Sequence, residues 1–211
     1  MIDGTQTRVG RPKSEQKTEA ILCAASALFL INGFQGTSMD AVAQRAGVSK
    51  QTVYSHFANK EDLFQACISK KVAGYGFAET AMVDDSDLRT ALLAIVRQFA
   101  ELLFDPQVVA MHRVVMGEAA TQPRIAALFF ESGPMRTKTA VCDFLTRQVE
   151  AERLHIDPDR MFFATAQLLG MTVGMYQLQF LMGLRDSVDE SELRVHLERV
   201  VDDFLRLYRA D

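Results

Sequence analysis

Apolar residues return every three or four positions along most of this chain, and the polar residues between them fall where helices begin and end. Ile21, Ala24, Ala25, Leu28, Phe29 and Ile31 mark one face of a first helix, with Ser14 as its expected N-cap and Asn32-Gly33 as its stop. Ser38 and Gly47 bracket a second helix, and Ser49 opens a third. Asn59 opens a fourth, expected to reach Thr80, with Glu61 and Asp62 in its first turn, where the helix dipole favours negative charge. Proline after Asp105, Gln122, Gly133 and Asp157 marks further starts. A last helix begins near Asp189 and presents Leu193, Leu197, Val200, Val201, Phe204, Leu205 and Tyr208 on one side. No strand-like alternation and no internal repeat interrupts the series. The pattern predicts an all-α chain of about nine helices.

Residues 161–184 carry no charge, and Gly170 and Gly174 are spaced for close helix contact within them. The run is long enough to cross a bilayer. Its glutamines and threonines (Gln167, Gln177, Gln179, Thr165, Thr172) and the lack of a second such run point instead to a helix buried between packed layers, with no membrane partner. The first twenty residues are polar and lack a signal-peptide core. Cys23, Cys67 and Cys142 are odd in number and widely spaced, which argues against disulfides and for a cytoplasmic location.

The formal net charge of −4 hides an asymmetry. Through Lys60 there are seven Lys/Arg against four Asp/Glu, and from Glu61 onward sixteen against twenty-three. A polyanion facing the front of the chain would explain the split. The spacing between residues 39 and 57 is that of a helix-turn-helix, with Ala43 where two helices cross and Gly47 at the turn. If Val42, Val48, Val53 and Phe57 face inward, then Lys50, Gln51, Thr52, Tyr54, Ser55 and His56 face out. Amides, hydroxyls and cations are what a recognition helix offers to base edges and phosphates. Gln51 suits adenine, Thr52 a thymine methyl, and Lys50 guanine or phosphate; Tyr54, His56 and Lys60 suit phosphates. Thr37, Ser38 and Ser49 complete the candidate DNA-facing set, and Arg11, in the arm Arg8-Val9-Gly10-Arg11-Pro12-Lys13, suits an A·T-rich minor groove.

Residues 34–63, FQGTSMDAVAQRAGVSKQTVYSHFANKEDL, closely resemble the TetR family of bacterial transcriptional regulators. The resemblance is carried by Gly33-Phe34, Thr37-Ser38, Val42-Ala43, Ala46-Gly47-Val48-Ser49, Tyr54-Ser55-His56-Phe57 and Lys60-Glu61-Asp62-Leu63. Gln51 departs from the glycine that many members carry, so base preference cannot be copied from them. The remainder is similar to AefR-like members at Phe99 to Leu103, Arg113 to Ala119, Pro123 and Phe130 to Pro134. That similarity implies a homodimer joined through the last two helices, and a small-molecule effector that weakens DNA binding. Candidate interface residues are Gly170, Gly174, Leu178, Leu197, Val201 and Phe204. Methionine and phenylalanine enrichment suits a hydrophobic effector. The candidate lining is Phe99, Leu103, Met111, Val115, Phe130, Phe144, Phe163 and Met171, with His112 and Gln167 as orienting polar groups.

His56, His112, His155 and His196 form no metal-ligand pair, and no nucleophile elbow, P-loop or dinucleotide fingerprint is present. The sequence therefore predicts no enzyme, no metal and no cofactor. It predicts an arm over residues 1–13, a helix-turn-helix domain over 14–59, and a ligand-binding and dimerisation domain over 60–211. The expected function is a dimeric regulator, most naturally a repressor, bound to double-stranded operator DNA. The rival readings are a ligand-independent architectural DNA binder and a helical-bundle enzyme.

Overall fold

The structure is a computed structural model, and it describes residues 13–77 and 87–210. The described residues are helical apart from turns and one antiparallel bridge between Leu154 and Arg209. The Arg11 arm lies outside them, as does the stretch through Thr80.

Two compact units divide between Cys67 and Ile68. The first contains α1 (Lys13–Asn32), α2 (Met39–Ala46) and α3 (Lys50–His56), together with the first half of α4 (Lys60–Ala73). The boundary falls beyond the expected Asn59 because Leu63, Phe64 and Cys67 of α4 are buried in this unit. Phe29, Phe34 and Phe64 meet there, with ring centroids 5.2 Å apart for Phe29–Phe64 and 5.5 Å for Phe34–Phe64, both edge-on. The Cys67 thiol approaches the Leu22 carbonyl at 3.7 Å. Ser14 sits inside the first turn of α1 instead of ahead of it. The other expected caps are in place: Ser38 accepts from the Ala41 N–H, Ser49 from Thr52, and Asn59 from Asp62. Gly47 closes α2 at φ 66°, and the Val48 N–H returns to the Ala43 carbonyl at 3.1 Å.

The second unit contains the rest of α4, then α5 (Leu88–Phe104), α6 (Pro106–Glu118), α7 (Pro123–Phe130), α8 (Arg136–Glu150), α9 (Met161–Met182) and α10 (Glu190–Tyr208). Its core joins Leu92, Ile95 and Val96 of α5, Phe144 and Leu145 of α8, Leu168 of α9, and Val201 and Phe204 of α10. Pro106 and Pro123 open helices as expected. Pro134 does not. It lies within a π-turn, Glu131–Met135, that carries α7 into α8 with helical dihedrals on both sides. Proline has no N–H to give and crowds the preceding turn, and the wider turn accommodates both faults. The fourth helix stops at Ala73, where Gly74-Tyr75-Gly76 turns the chain.

Residues 161–184 are not buried on all sides. One face of α9 is core (Ala164, Thr165, Leu168, Leu169, Thr172, Val173), while Phe162, Phe163, Met175, Leu178 and Met182 stand exposed on the other. No helix among the described residues is long and apolar enough to cross a membrane.

Asp105 ties α4 to the start of α6. Its carboxylate accepts from Lys71 at 2.9 Å and Tyr75 at 2.8 Å, and caps the Gln107 and Val108 N–H groups. Burial opposes the charge, but these hydrogen bonds outweigh it and hold the carboxyl below its ordinary range. A depressed carboxylate contributes stability above its unfolded pKa and loses it as pH falls through the folded value. Asp105→Asn is therefore expected to flatten the acid side of a thermal-stability-versus-pH profile, most visibly between the folded and unfolded pKa values. A profile unchanged by the substitution would contradict this account.

Candidate functional site

The third helix is held at both ends before any of its side chains is considered. Ser49 caps it, and the Phe57 N–H returns to the Val53 carbonyl at 2.9 Å. Val53 is fully buried, which fixes the rotation of the helix. Lys50, Gln51, Tyr54 and Ser55 are then exposed, and Thr52 is half-buried. Gln51 points outward with no side-chain partner among the described residues. Tyr54 is 45% exposed. Ser55 donates to the Thr52 carbonyl at 2.8 Å, and the Thr52 and Ser49 hydroxyls are 2.8 Å apart. The Lys50 ammonium pairs with Asp40 of α2 at 2.8 Å, and that hydrogen bond raises its pKa. Sequence reasoning overlooked Asp40, whose partner lies on another helix and shares no local periodicity with it. His56 is half-buried and lies 3.2 Å from the Thr18 hydroxyl of α1, so its ring anchors helix to helix as much as it faces outward.

Two expected DNA contacts take other roles. The Thr37 side chain is 2% exposed, and its hydroxyl donates to the Gly33 carbonyl at 2.7 Å. Lys60 was expected to meet phosphate. Its ammonium instead donates to the carbonyls of Phe34 at 2.7 Å and Thr37 at 2.8 Å, and sits 4.4 Å from the Phe34 ring centroid. Within the chain both side chains donate to carbonyls of the loop between α1 and α2, which need donors. Lys60→Ala is expected to lower the stability of the first unit by about 1–2 kcal/mol, since charge-assisted bonds to those carbonyls disappear. A denaturant midpoint matching the wild type would sink that assignment.

The expected effector-lining residues separate into an inner and an outer group. Met111, Val115 and Phe144 are buried, and Phe99, Leu103 and Met171 are partly buried against the core that contains Phe144. His112 keeps Nδ1 2.8 Å from the Val108 carbonyl and meets the Phe129 ring edge-on at 4.9 Å. Burial pushes its pKa down, so the ring is neutral at pH 7, with the proton on Nδ1 and Nε2 as an acceptor. Gln167 is already engaged, because its Oε1 accepts from Tyr208 at 2.8 Å. Phe130 and Phe163 are 55% and 58% exposed and line no interior. The outward turn of Phe130 precedes the π-turn, and Phe163 belongs to the uncovered face of α9.

The candidate interface set divides in the same way. Leu197, Val201 and Phe204 are core residues of a single chain, with no surface left for a partner. Leu178 is 48% exposed, and Gly170 and Gly174 are exposed, with room for a Cβ in both cases. Gly174 is required by its backbone, φ 45° and ψ −133°, which breaks α9. No group of three or more potential metal ligands occurs among the described residues.

Residues 90–210 match the family described as AefR-like transcriptional repressor, C-terminal domain, and residues 21–67 match Bacterial regulatory proteins, tetR family. The HTH-type transcriptional activator FasR of Mycolicibacterium smegmatis is 30% identical over 126 residues, 59% of this chain and 57% of that protein. The chain thus spans little more than half of that relative, and other curated matches cover 28% and 44% of theirs. Among solved structures, the Flavonoid-responsive Regulator FrrA is 31% identical with a TM-score of 0.71, covering 92% of this chain and 98% of that one. A TetR family transcriptional regulator from Pseudomonas syringae pv. tomato str. DC3000 is 27% identical with a TM-score of 0.69, covering 93% and 99%.

Proposed function

We propose that this chain, which belongs to the TetR family of bacterial transcriptional regulators, is a dimeric cytoplasmic repressor that a small hydrophobic molecule releases from its operator. The DNA-reading role rests on one observation above the others. The outer face of α3 carries Lys50, Gln51, Tyr54 and Ser55 on a helix whose rotation is fixed by buried Val53. Gln51 is the base reader, able to give and accept two hydrogen bonds at an adenine edge. Lys50 and Tyr54 hold phosphates, and the arm bearing Arg11 reaches the adjacent minor groove. Two such helices in a dimer would enter successive major grooves of a pseudo-palindrome.

Dimerisation is supported by the uncovered apolar face of α9, where Phe162, Phe163, Met175, Leu178 and Met182 stand in water in a single chain. Release by a ligand is supported by the likeness to a regulator named as flavonoid-responsive. Met111, Val115 and Phe144 supply the apolar wall, and the free Nε2 of His112 accepts from a ligand hydroxyl. Release requires that the ligand bind the DNA-incompetent shape more tightly than the competent one.

The test selects operator sequences from a random DNA pool at fixed salt, then screens hydrophobic compounds for release. Binding to the selected site no tighter than to random DNA would refute the reading. A relative named as an activator favours a second sign of control. Deleting the gene raises transcription from the selected operator if the chain represses, and lowers it if the chain activates.

A further inference from the structure

Three helical threonines inside the second unit dispose of their hydroxyls in one way. Thr146, Thr165 and Thr172 each donate to the carbonyl four residues back, at 2.9, 2.9 and 2.8 Å. Thr137, in the first turn of α8, does not. It is 2% exposed, and its Oγ1 has no hydrogen-bond partner among the described residues. The cause is the π-turn ahead of it. The carbonyl four residues back belongs to Gly133, inside Glu131–Met135, and it accepts from the Arg136 N–H instead.

A buried hydroxyl left unpaired costs free energy that a partner would recover. One turn before Thr137, a Cβ on Gly133 would stand 3.1 Å from the Ile68 γ-methyl and 3.9 Å from that of Val72, both on α4. One and two turns after it, Val141 and Phe144 continue the same buried face. A water among such apolar groups would have one partner where it needs two or more. The other unpaired atom on this face, Oε1 of Gln148, lies three turns away, about 16 Å along the axis. It is too far to pair with Thr137.

We propose that Thr137 Oγ1 donates its hydrogen bond to an uncharged carbonyl oxygen of the effector, whose apolar body lies along Val141 and Phe144. The inference rests on the interior effector site proposed above and gives that site its ligand class: a mostly apolar, uncharged carbonyl compound. One donor satisfies a carbonyl, whereas an amide or hydroxyl would bring a further proton that this apolar face leaves unpaired. A carboxylate or an ammonium would enter with no counter-charge on the face. Met171, partly buried against the core that holds Val141 and Phe144, is flexible enough to give way to such a body.

1-Tetralone and tetralin differ only in a carbonyl oxygen, and the Val141 methyl resonances of the full-length protein report binding of either. Thr137→Val keeps the shape of the side chain and removes its hydroxyl. It is expected to lower the affinity ratio of 1-tetralone over tetralin about tenfold by weakening the ketone. Thr137→Ser, which retains the donor, is expected to keep most of the ratio. Without ligand, Thr137→Val is expected to melt at or above the wild-type temperature, because the hydroxyl it removes is unpaired. Saturable binding of both probes with a ratio unchanged by Thr137→Val would overturn the role of Thr137 and leave the interior site standing. A lower melting temperature for Thr137→Val would overturn it too, since the hydroxyl would then have a partner in the folded chain. No saturable binding of either probe to the wild type would overturn the interior site and this inference with it.

Discussion

Phe29→Ala is expected to cost the first unit about 3–5 kcal/mol, the range for removing a fully buried aromatic side chain. Phe29 has no exposed surface, and it meets both Phe34 (5.8 Å) and Phe64 (5.2 Å). Alanine leaves a cavity bordered by α1, α4 and the loop before α2, and the neighbouring helices cannot close it without moving α2 and its cap. A unit of this size buries a small core, and a loss of that magnitude approaches its whole stability. Amide hydrogen exchange would then show α1 to α3 unprotected while α5, α8 and α10 of the second unit stay protected. Specific DNA binding would disappear with the first unit. Uniform protection across both units in the variant would mean that the aromatic trio is not the core that holds α3 in place.

Gln51→Ala is expected to act without touching stability, because the side chain is exposed and has no side-chain partner among the described residues. Loss of a bidentate adenine contact costs about 1–3 kcal/mol at one base pair of each half-site and leaves the others as they were. Competition between the selected operator and single-substitution variants, at constant salt, measures it. The variant protein should accept any base at the affected position while keeping its affinity for random DNA. Lys60→Ala supplies the contrast. It lowers the denaturant midpoint and leaves base preference alone. If Gln51→Ala weakened all sequences equally, the residue would be a backbone contact and the base reader would lie elsewhere on α3.

Local chemistry made much of the fold readable from residue order. Ser38, Ser49, Asn59 and Asp189 cap helices because a short polar side chain reaches N–H groups two or three residues ahead. Gly47 was legible for a similar reason, since a left-handed residue after a helix favours glycine wherever it occurs. What escaped depends on partners distant in sequence. Lys60 looks like a surface cation until the Phe34 and Thr37 carbonyls are brought beneath it. Residues 161–184 are apolar on every side, so periodicity could not say which face of α9 is core and which is bare. Leu197, Val201 and Phe204 lie on the one apolar side of α10, which periodicity marks without saying whether the chain's own core or a partner covers it; they are interior. Pro134 follows Gly133 as a helix start would, and only the continuous backbone through the π-turn distinguishes the two.

The Lys50–Asp40 pair bears on how DNA affinity would respond to salt. In ordinary binding each lysine that meets a phosphate sets free a condensed counterion, and affinity falls with salt in proportion to the number released. On the proposed DNA reading, Lys50 would reach the duplex already matched with a carboxylate of its own chain. Its move to phosphate would exchange one anion for another and leave Asp40 facing the backbone. The chain would then show a shallower salt dependence than its count of basic contacts suggests. Asp40→Asn would both strengthen binding and steepen that dependence.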